Sequence, residues 1–349
     1  MKHLVLRSAL VSAVIASSGL VAVGLSANAQ AAGTATGPTG SLTMSAPLTT
    51  VKFVYDFPGP DMELIPIVVG QDQGFYAAAG LKVNTLFPAS TSSTSAMLVT
   101  GAGNVGFITT SDMADAVAAK VPLESIANYS MTNNWTIFAK PGSKLTAADL
   151  KGKKIFSWGD TWTQTMLGFV LKHAGLSASQ VTIVTASNDT PLLMDGKIDF
   201  DTSTTNYAVP AIQGADNGAK PVMFTGAQIG VPNIPIWVYA VTKAYAAAHP
   251  ATAKAFLAAT LKATKWAIAN PAAAVNDFVK MYPNSGYSKA YSTTGWNLTI
   301  PLLKNAAGKF FVQTDAQWAT LDQGMIATKQ LKSAPAPSTY YTNAFIPAQ

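Results

Sequence analysis

Residues 149–162, DLKGKKIFSWGDTW, pack a polar turn, a short apolar strand and a helix opening into one run. Gly152 frees the turn to take a positive φ. Ile155 and Phe156 form the strand fragment, and the Trp158 to Thr161 segment supplies turn and N-cap residues for a helix over 163–171. The same order recurs along the chain. Strand-like runs at 51–55, 81–87, 101–108, 122–129, 135–139, 181–185 and 236–241 are interleaved with helical runs near 61–79, 94–99, 191–194 and 244–270 and one that opens at 109–112, while 202–207 reads as a loop. Strands alternating with helices in this way predict an α/β fold whose sheets are largely parallel. In such sheets ligands sit at the carboxyl ends of strands, beside helix N-termini.

The chain has 349 residues, enough for two lobes with separate cores. Its first 31 residues join basic Lys2 and Arg7 to an apolar run over 9–25 and small-residue cleavage sites ending at Ala29 and Ala31, the pattern of a secretory signal peptide. Residues 32–48 are rich in Gly, Thr, Ser and Pro and read as a flexible leader. The chain contains no cysteine, so a lipid-anchored N-terminus, disulfides and thiol chemistry are all unexpected. Loss of Lys2 and Arg7 with the signal lowers the net charge from +6 to +4. The lysines are scattered, which speaks against nucleic acid as a partner. Arg7 is the only arginine, so the processed chain has no guanidinium to clamp a sulfonate or sulfate, and a neutral or cationic heterocycle is favoured.

Several segments resemble a known family. DLKGKKI at 149–155, GFYAAAGLKV at 74–83, GAGNVGFI at 101–108 and the His249-Pro250 break in an alanine-rich helix are similar to motifs of solute-binding proteins of bacterial ABC importers. The similarity is to the nitrate, sulfonate and taurine type and the thiamine-pyrimidine-precursor type, and it spans about 51–277. Asp56-Phe57, Asn206-Tyr207 and Gly230-Val231-Pro232 resemble the pyrimidine-precursor branch. Two positions depart from that branch, with Glu63 standing where its histidine falls and Ala208 where its glutamate falls.

The resemblance implies a type II periplasmic-binding-protein fold with two lobes and two hinge crossings. Lobe one would comprise 49–139 and, after the return, 235–349 with the C-terminal helices; lobe two would be 140–234. The crossings are expected at the Lys140-Pro141-Gly142-Ser143 turn and over 229–235. The resemblance also implies a periplasmic, monomeric protein that delivers a small solute to a membrane permease and needs no cofactor. An alkanesulfonate, taurine or nitrate ligand is the alternative within that class. A pyrimidine-synthase-like enzyme is the alternative outside it, but that enzyme's pattern includes a cysteine-rich motif and a histidine that this chain lacks.

Ligand candidates follow from aromatic walls and polar hooks at strand ends. Phe57, Trp158, Trp162 and Tyr207 are placed to stack on a ring, although Trp162 reads equally as core. Glu63 and Asp160 are candidate acceptors, and each reads equally as a carboxylate serving a helix N-terminus. Ser90, Thr91, Thr110, Ser111, Thr161 and Asn206 would add hydrogen bonds. His173 and His249 read as structural, and the spacing of His, Asp and Glu offers no transition-metal motif.

Overall fold

The computed structural model describes residues 47–349 apart from Thr91, Ser92 and Ser187. The expected signal peptide and residues 32–46 of the leader lie outside the described residues. Ten strands organise the rest: β1 (Thr49–Val54), β2 (Leu81–Leu86), β3 (Val105–Thr109), β4 (Leu123–Asn128), β5 (Trp135–Ala139), β6 (Lys154–Phe156), β7 (Thr182–Val184), β8 (Asp201–Thr204), β9 (Val222–Phe224) and β10 (Trp237–Thr242).

One sheet has the order β2-β1-β3-β10-β4. β1 runs parallel to β2 and β3, while β10 runs antiparallel to both its neighbours. The other strands pair as β8-β5-β9 and β6-β7. A parallel bridge from Ile155 to Phe200, with Phe156 N–H donating to the Phe200 carbonyl at 2.9 Å, joins these two sets into the order β7-β6-β8-β5-β9. There too one strand is reversed, β5, which is antiparallel to β8 and β9. The two sheets therefore share one topology, and in each the reversed strand is the one that arrives from the other sheet.

The first sheet is buried because its strands read as apolar runs. Phe53, Phe107, Tyr239 and Phe256 are fully or almost fully buried and their rings lie within 6.1 Å of one another in successive pairs. Phe256 comes from the helix Pro250–Ala269, whose start is set by Pro250 at its first position. Gly80, at φ 73°, lets the helix Phe75–Ala78 stop and β2 begin one residue later. The Pro, Ser and Tyr-rich tail is packed against the body: Tyr340 is buried and stacks on Trp318 at 4.9 Å, and Thr342 N–H donates to the Ser125 carbonyl at 2.9 Å.

Two expectations need correction. β5 belongs to the second sheet, so the chain passes between sheets over 129–134 and not at the Lys140 turn. The polar loop there is held by Asn133, whose Oδ1 accepts from Trp135 N–H at 2.9 Å. The run 202–207, read as a loop, is the end of β8 and the first turn of the helix Thr205–Ala215: pairing with β5 holds 202–204 extended, and the helix begins directly after Thr204 without a side-chain cap. The return passage lies beside the outgoing one: Asn133 N–H donates to Asn233 Oδ1 at 2.9 Å, Asn133 Nδ2 donates to the Pro232 carbonyl at 3.0 Å, and Tyr129 N–H donates to the Trp237 carbonyl at 2.8 Å.

Gly295, in the helix Lys289–Thr299, lets that helix lie against the helix Thr205–Ala215. A methyl group there would meet the Asn206 carbonyl oxygen and Met62 Cε, each at 2.8 Å. Gly295→Ala is therefore expected to destabilise the fold by about 1–3 kcal/mol through overpacking. Gly214→Ala, with no atom within 4 Å of its added methyl, should leave stability unchanged or raise it by up to about 1 kcal/mol. Denaturant midpoints of the two variants check this; equal midpoints would contradict the close helix approach.

Candidate functional site

The loop after β1 carries the first half of the site. Asp61 caps a single turn, Met62–Leu64, by accepting the Glu63 N–H at 2.8 Å, and the same Oδ1 accepts the Tyr55 hydroxyl at 2.5 Å. That turn is what presents Glu63, which is only 3% exposed. Ahead of it, Asp56 Oδ1 accepts the Thr94 hydroxyl at 2.7 Å from the helix Thr94–Val99.

The second half comes from the helix that follows β8. Asn206, in its first turn, donates through Nδ2 to Glu63 Oε1 at 2.9 Å and lies 3.2 Å from Thr299 Oγ1. Its Oδ1 accepts from Asn134 Nδ2 at 2.7 Å. The fully buried amide is thus committed in full, and it joins a loop of the first sheet to a helix of the second.

Rings surround this pair. Phe57 lies 6.1 Å from Tyr207, 5.7 Å from Tyr55 and 5.3 Å from Trp237. Trp237 opens β10 and stacks on Phe107 at 4.8 Å and 19°, and Phe107 stacks on Tyr55 at 5.0 Å. Tyr287 packs edge-on to Tyr207 at 6.2 Å and beside Tyr291 at 4.8 Å. Four polar atoms within this ring of aromatics make no well-formed hydrogen bond among the described residues: Glu63 Oε2, Trp237 Nε1, Tyr207 Oη and Tyr129 Oη; Trp237 nonetheless lies near enough to Glu63, and Tyr207 near enough to Asp61, to favour the charged form of each carboxyl. Leaving such groups poorly paired costs up to about 1–3 kcal/mol each, and they lie on residues whose rings or charges interact with one another.

A second cluster joins the helices after β3 and β6. Thr109 caps the helix Thr110–Ala118 by accepting the Asp112 N–H at 3.0 Å. Asp160 caps the helix Thr161–His173 by accepting the Thr163 N–H at 2.7 Å. Between them Thr161 Oγ1 donates to Asp112 Oδ1 at 2.5 Å and lies 3.0 Å from Ser111 Oγ. Asp56 faces the same cluster, its Oδ2 unpartnered among the described residues.

Burial raises the pKa of every one of Asp56, Asp61, Glu63 and Asp112. The charge of Asp61 adds to the effect on Glu63, and that of Asp112 adds to the effect on Asp56. Asp201, at the start of β8, is fully buried with both oxygens unpartnered among the described residues, and burial followed by the nearby Asp189 charge raises it well above the ordinary range. None of these groups is in an ion pair. The ion pairs among the described residues are Lys153–Asp199, Lys197–Asp195 and Lys280–Asp72, outside both clusters.

Of the residues singled out from sequence, the structure brings Phe57, Glu63, Asn206 and Tyr207 together, and gathers Ser111, Asp160 and Thr161 at the second cluster. Others are placed differently. Trp158 is 43% exposed and touches Phe156 edge-on at 5.0 Å, because it follows β6 on the outer rim. Trp162 is buried in the main core, the alternative its helix position allowed. Thr110 is tied to the return passage, its hydroxyl donating to the Pro235 carbonyl at 2.9 Å. Ser90 lies at the surface 2.9 Å from Ser93 Oγ, and Thr91 lies outside the described residues. Sequence reasoning missed Trp237, Tyr55, Asp61, Tyr129, Tyr287, Tyr291 and Asp201. Trp237 carried a usable signal, a tryptophan two residues after the proline that ends the return passage; the tyrosines lie in segments whose partners are remote in sequence.

Comparison with known proteins fits this geometry. The model of the NMT1/THI5-like family matches residues 61–274. A 4-amino-5-hydroxymethyl-2-methylpyrimidine phosphate synthase of Aspergillus parasiticus is 26% identical over 63% of this chain and 68% of its own. A formylaminopyrimidine-binding protein of Halalkalibacterium halodurans is 23% identical over 78% of this chain and 83% of its own. Among solved structures, the alkanesulfonate-binding protein SsuA from Xanthomonas axonopodis pv. citri bound to MOPS superposes with a TM-score of 0.65 at 16% identity, over 85% of this chain and all of that one. The family match spans more than half of the chain and the whole body superposes on a solute-binding fold, so the chain belongs to the NMT1/THI5-like family and has the α/β periplasmic-binding-protein fold.

Proposed function

We propose that this chain is the substrate-binding component of an ABC import system, and that it captures a small nitrogen heterocycle, neutral or cationic, between the loop after β1 and the helix after β8. The observation that carries this reading is the grouping of the Glu63 carboxyl, the Trp237 indole and the Tyr207 hydroxyl, whose Glu63 Oε2, Trp237 Nε1 and Tyr207 Oη make no well-formed hydrogen bond among the described residues, with the aromatic rings around Phe57. An aminopyrimidine edge offers both N–H donors and ring-nitrogen acceptors, which matches a carboxylate oxygen next to indole and phenol donors. Its flat faces suit Phe57 and Trp237. Two of the relatives carry pyrimidine compounds in their names.

Contacts from both sheets make binding a closing reaction. Because Glu63 and Tyr207 belong to opposite halves, a ligand touching both stabilises the approach that the Asn206–Glu63 bond marks, with the paired passages at Asn133 and Asn233 as the hinge. The closed form is the state presented to a membrane permease.

An alkanesulfonate or taurine ligand is the second reading, supported by the SsuA likeness. Charge weighs against it. The helix N-termini at Thr110 and Thr161 and the hydroxyl of Thr94, where an anion would be held, face Asp112, Asp160 and Asp56, and the processed chain has no arginine. A synthase-like activity is disfavoured by the donor set. The chain has no cysteine. His249 packs on Tyr245 at 4.8 Å and His173 lies against Gly230, so neither imidazole sits among the aromatics.

Isothermal titration with 4-aminopyrimidine, its hydroxymethyl derivatives, taurine, an alkanesulfonate and nitrate is expected to show binding of the pyrimidines alone. Binding of the sulfonates alone would move the site to the helix N-termini and contradict the reading. Phe57→Ala and Asn206→Ala are each expected to weaken pyrimidine binding by about ten- to hundredfold, corresponding to about 1–3 kcal/mol. Trp158→Ala should change affinity by less than about twofold. Affinities measured on folded variants check both statements.

A further inference from the structure

The buried carboxyl of Glu63 has no counter-charge among the described residues. Facing it are Asp61 from its own loop, Tyr55 from β1, Tyr129 from the end of β4, Tyr207 from the helix after β8, and Tyr287 and Tyr291 from the segment around the helix Lys289–Thr299. The remaining neighbours, Asn206 and Trp237, are neutral. Every titratable group in this shell is an acid. Asp189 approaches from the second sheet's side, where it acts on the same tyrosines. Oε1 of Glu63 accepts one amide N–H, Oε2 makes no well-formed hydrogen bond among the described residues, and the Asn206 and Trp237 donors offset burial and the Asp61 charge only in part. A carboxylate buried under these conditions is held protonated, because an isolated charge is far costlier to bury than its neutral form.

We propose that ligand capture in this cleft exchanges a proton for a cation: the bound ring is positively charged, it rests against the ionised Glu63 carboxylate, and the proton that Glu63 holds in the empty cleft leaves to solvent. The proposal rests on the cleft being the heterocycle site described above. The exchange balances: the Glu63 carboxylic acid and a ring cation give the carboxylate–cation pair and one free proton. A ring that arrives neutral reaches the same pair by taking the Glu63 proton onto a ring nitrogen, with no net release. The direction of the Glu63 shift, raised by burial and then by Asp61, agrees with a proton being present near neutrality.

The test uses two probes on the whole chain, the fixed cation 1-methyl-4-aminopyrimidinium and the neutral 4-aminopyrimidine. Titration calorimetry at about pH 7, in two buffers of different ionisation enthalpy, counts protons released. About one proton is expected per fixed cation bound and about none per neutral ring. Affinity for the fixed cation should fall by about tenfold for each unit of pH lowered from about 7 to about 5. In Glu63→Gln the release disappears and cation affinity becomes flat with pH; if that variant does not fold, the proton count on the unmodified chain decides alone. Binding of the fixed cation with no proton release and no pH dependence overturns the exchange while leaving the heterocycle site standing. Failure of both rings to bind overturns the heterocycle site itself, and the exchange with it.

Discussion

One hydrogen bond, from Asn206 Nδ2 to Glu63 Oε1 at 2.9 Å, ties the loop after β1 to the helix after β8. Its strength depends on its setting. Glu63 is buried among acids and phenols, and Asn206 is spent on Glu63, Thr299 and Asn134, so the amide has no capacity for another partner and Glu63 keeps only Oε2 for one. The rest of the site is arranged by what holds these two residues in place. Asp61 caps the turn that presents Glu63, and Gly295 admits the helix that presses Asn206 toward it.

The two sheets have the same strand order, and the strands that exchange between them, β5 and β10, are the reversed strand of each. Their lead-in segments are bonded to one another through Asn133, Asn233 and Pro232. Bending there would separate Glu63 from Asn206, and Asp112 from Thr161, while leaving both sheets intact. Both cross-sheet contacts place a carboxyl on the first-sheet side and a neutral group on the second, with no cation beside either among the described residues. That asymmetry is a physical reason for the cleft to prefer a ring bearing N–H donors over an anion.

Much of the architecture was legible in the sequence because it is local. The GFYAAAGLKV run contains its own helix, its Gly80 stop and its next strand, and Asp160 announces itself as a cap by standing before Thr161. Phe57, Glu63, Asn206 and Tyr207 stand at strand ends beside turn residues, a local pattern visible in the sequence, and the fold brings them together. Trp158 and Trp162 are placed otherwise for the opposite reason: two tryptophans four positions apart look like a wall, but strand direction sends one to the rim and helix phase sends the other into the core. Tyr287, Tyr291 and Trp237 reach the site through long-range packing that no local pattern records. The passage at 129–134 was missed because a Lys-Pro-Gly-Ser turn is a stronger sequence signal than a loop held by asparagine side chains.

A crystal structure of the chain grown with 4-aminopyrimidine tests the central claim most directly. The account predicts the ring lying against Phe57 and Trp237, with an N–H within hydrogen-bond distance of Glu63 Oε2 and with Asn206 still bonded to Oε1. A ring seated instead at the helix N-termini near Ser111 and Thr161, or a cleft in which Glu63 turns away from the ligand, would contradict it.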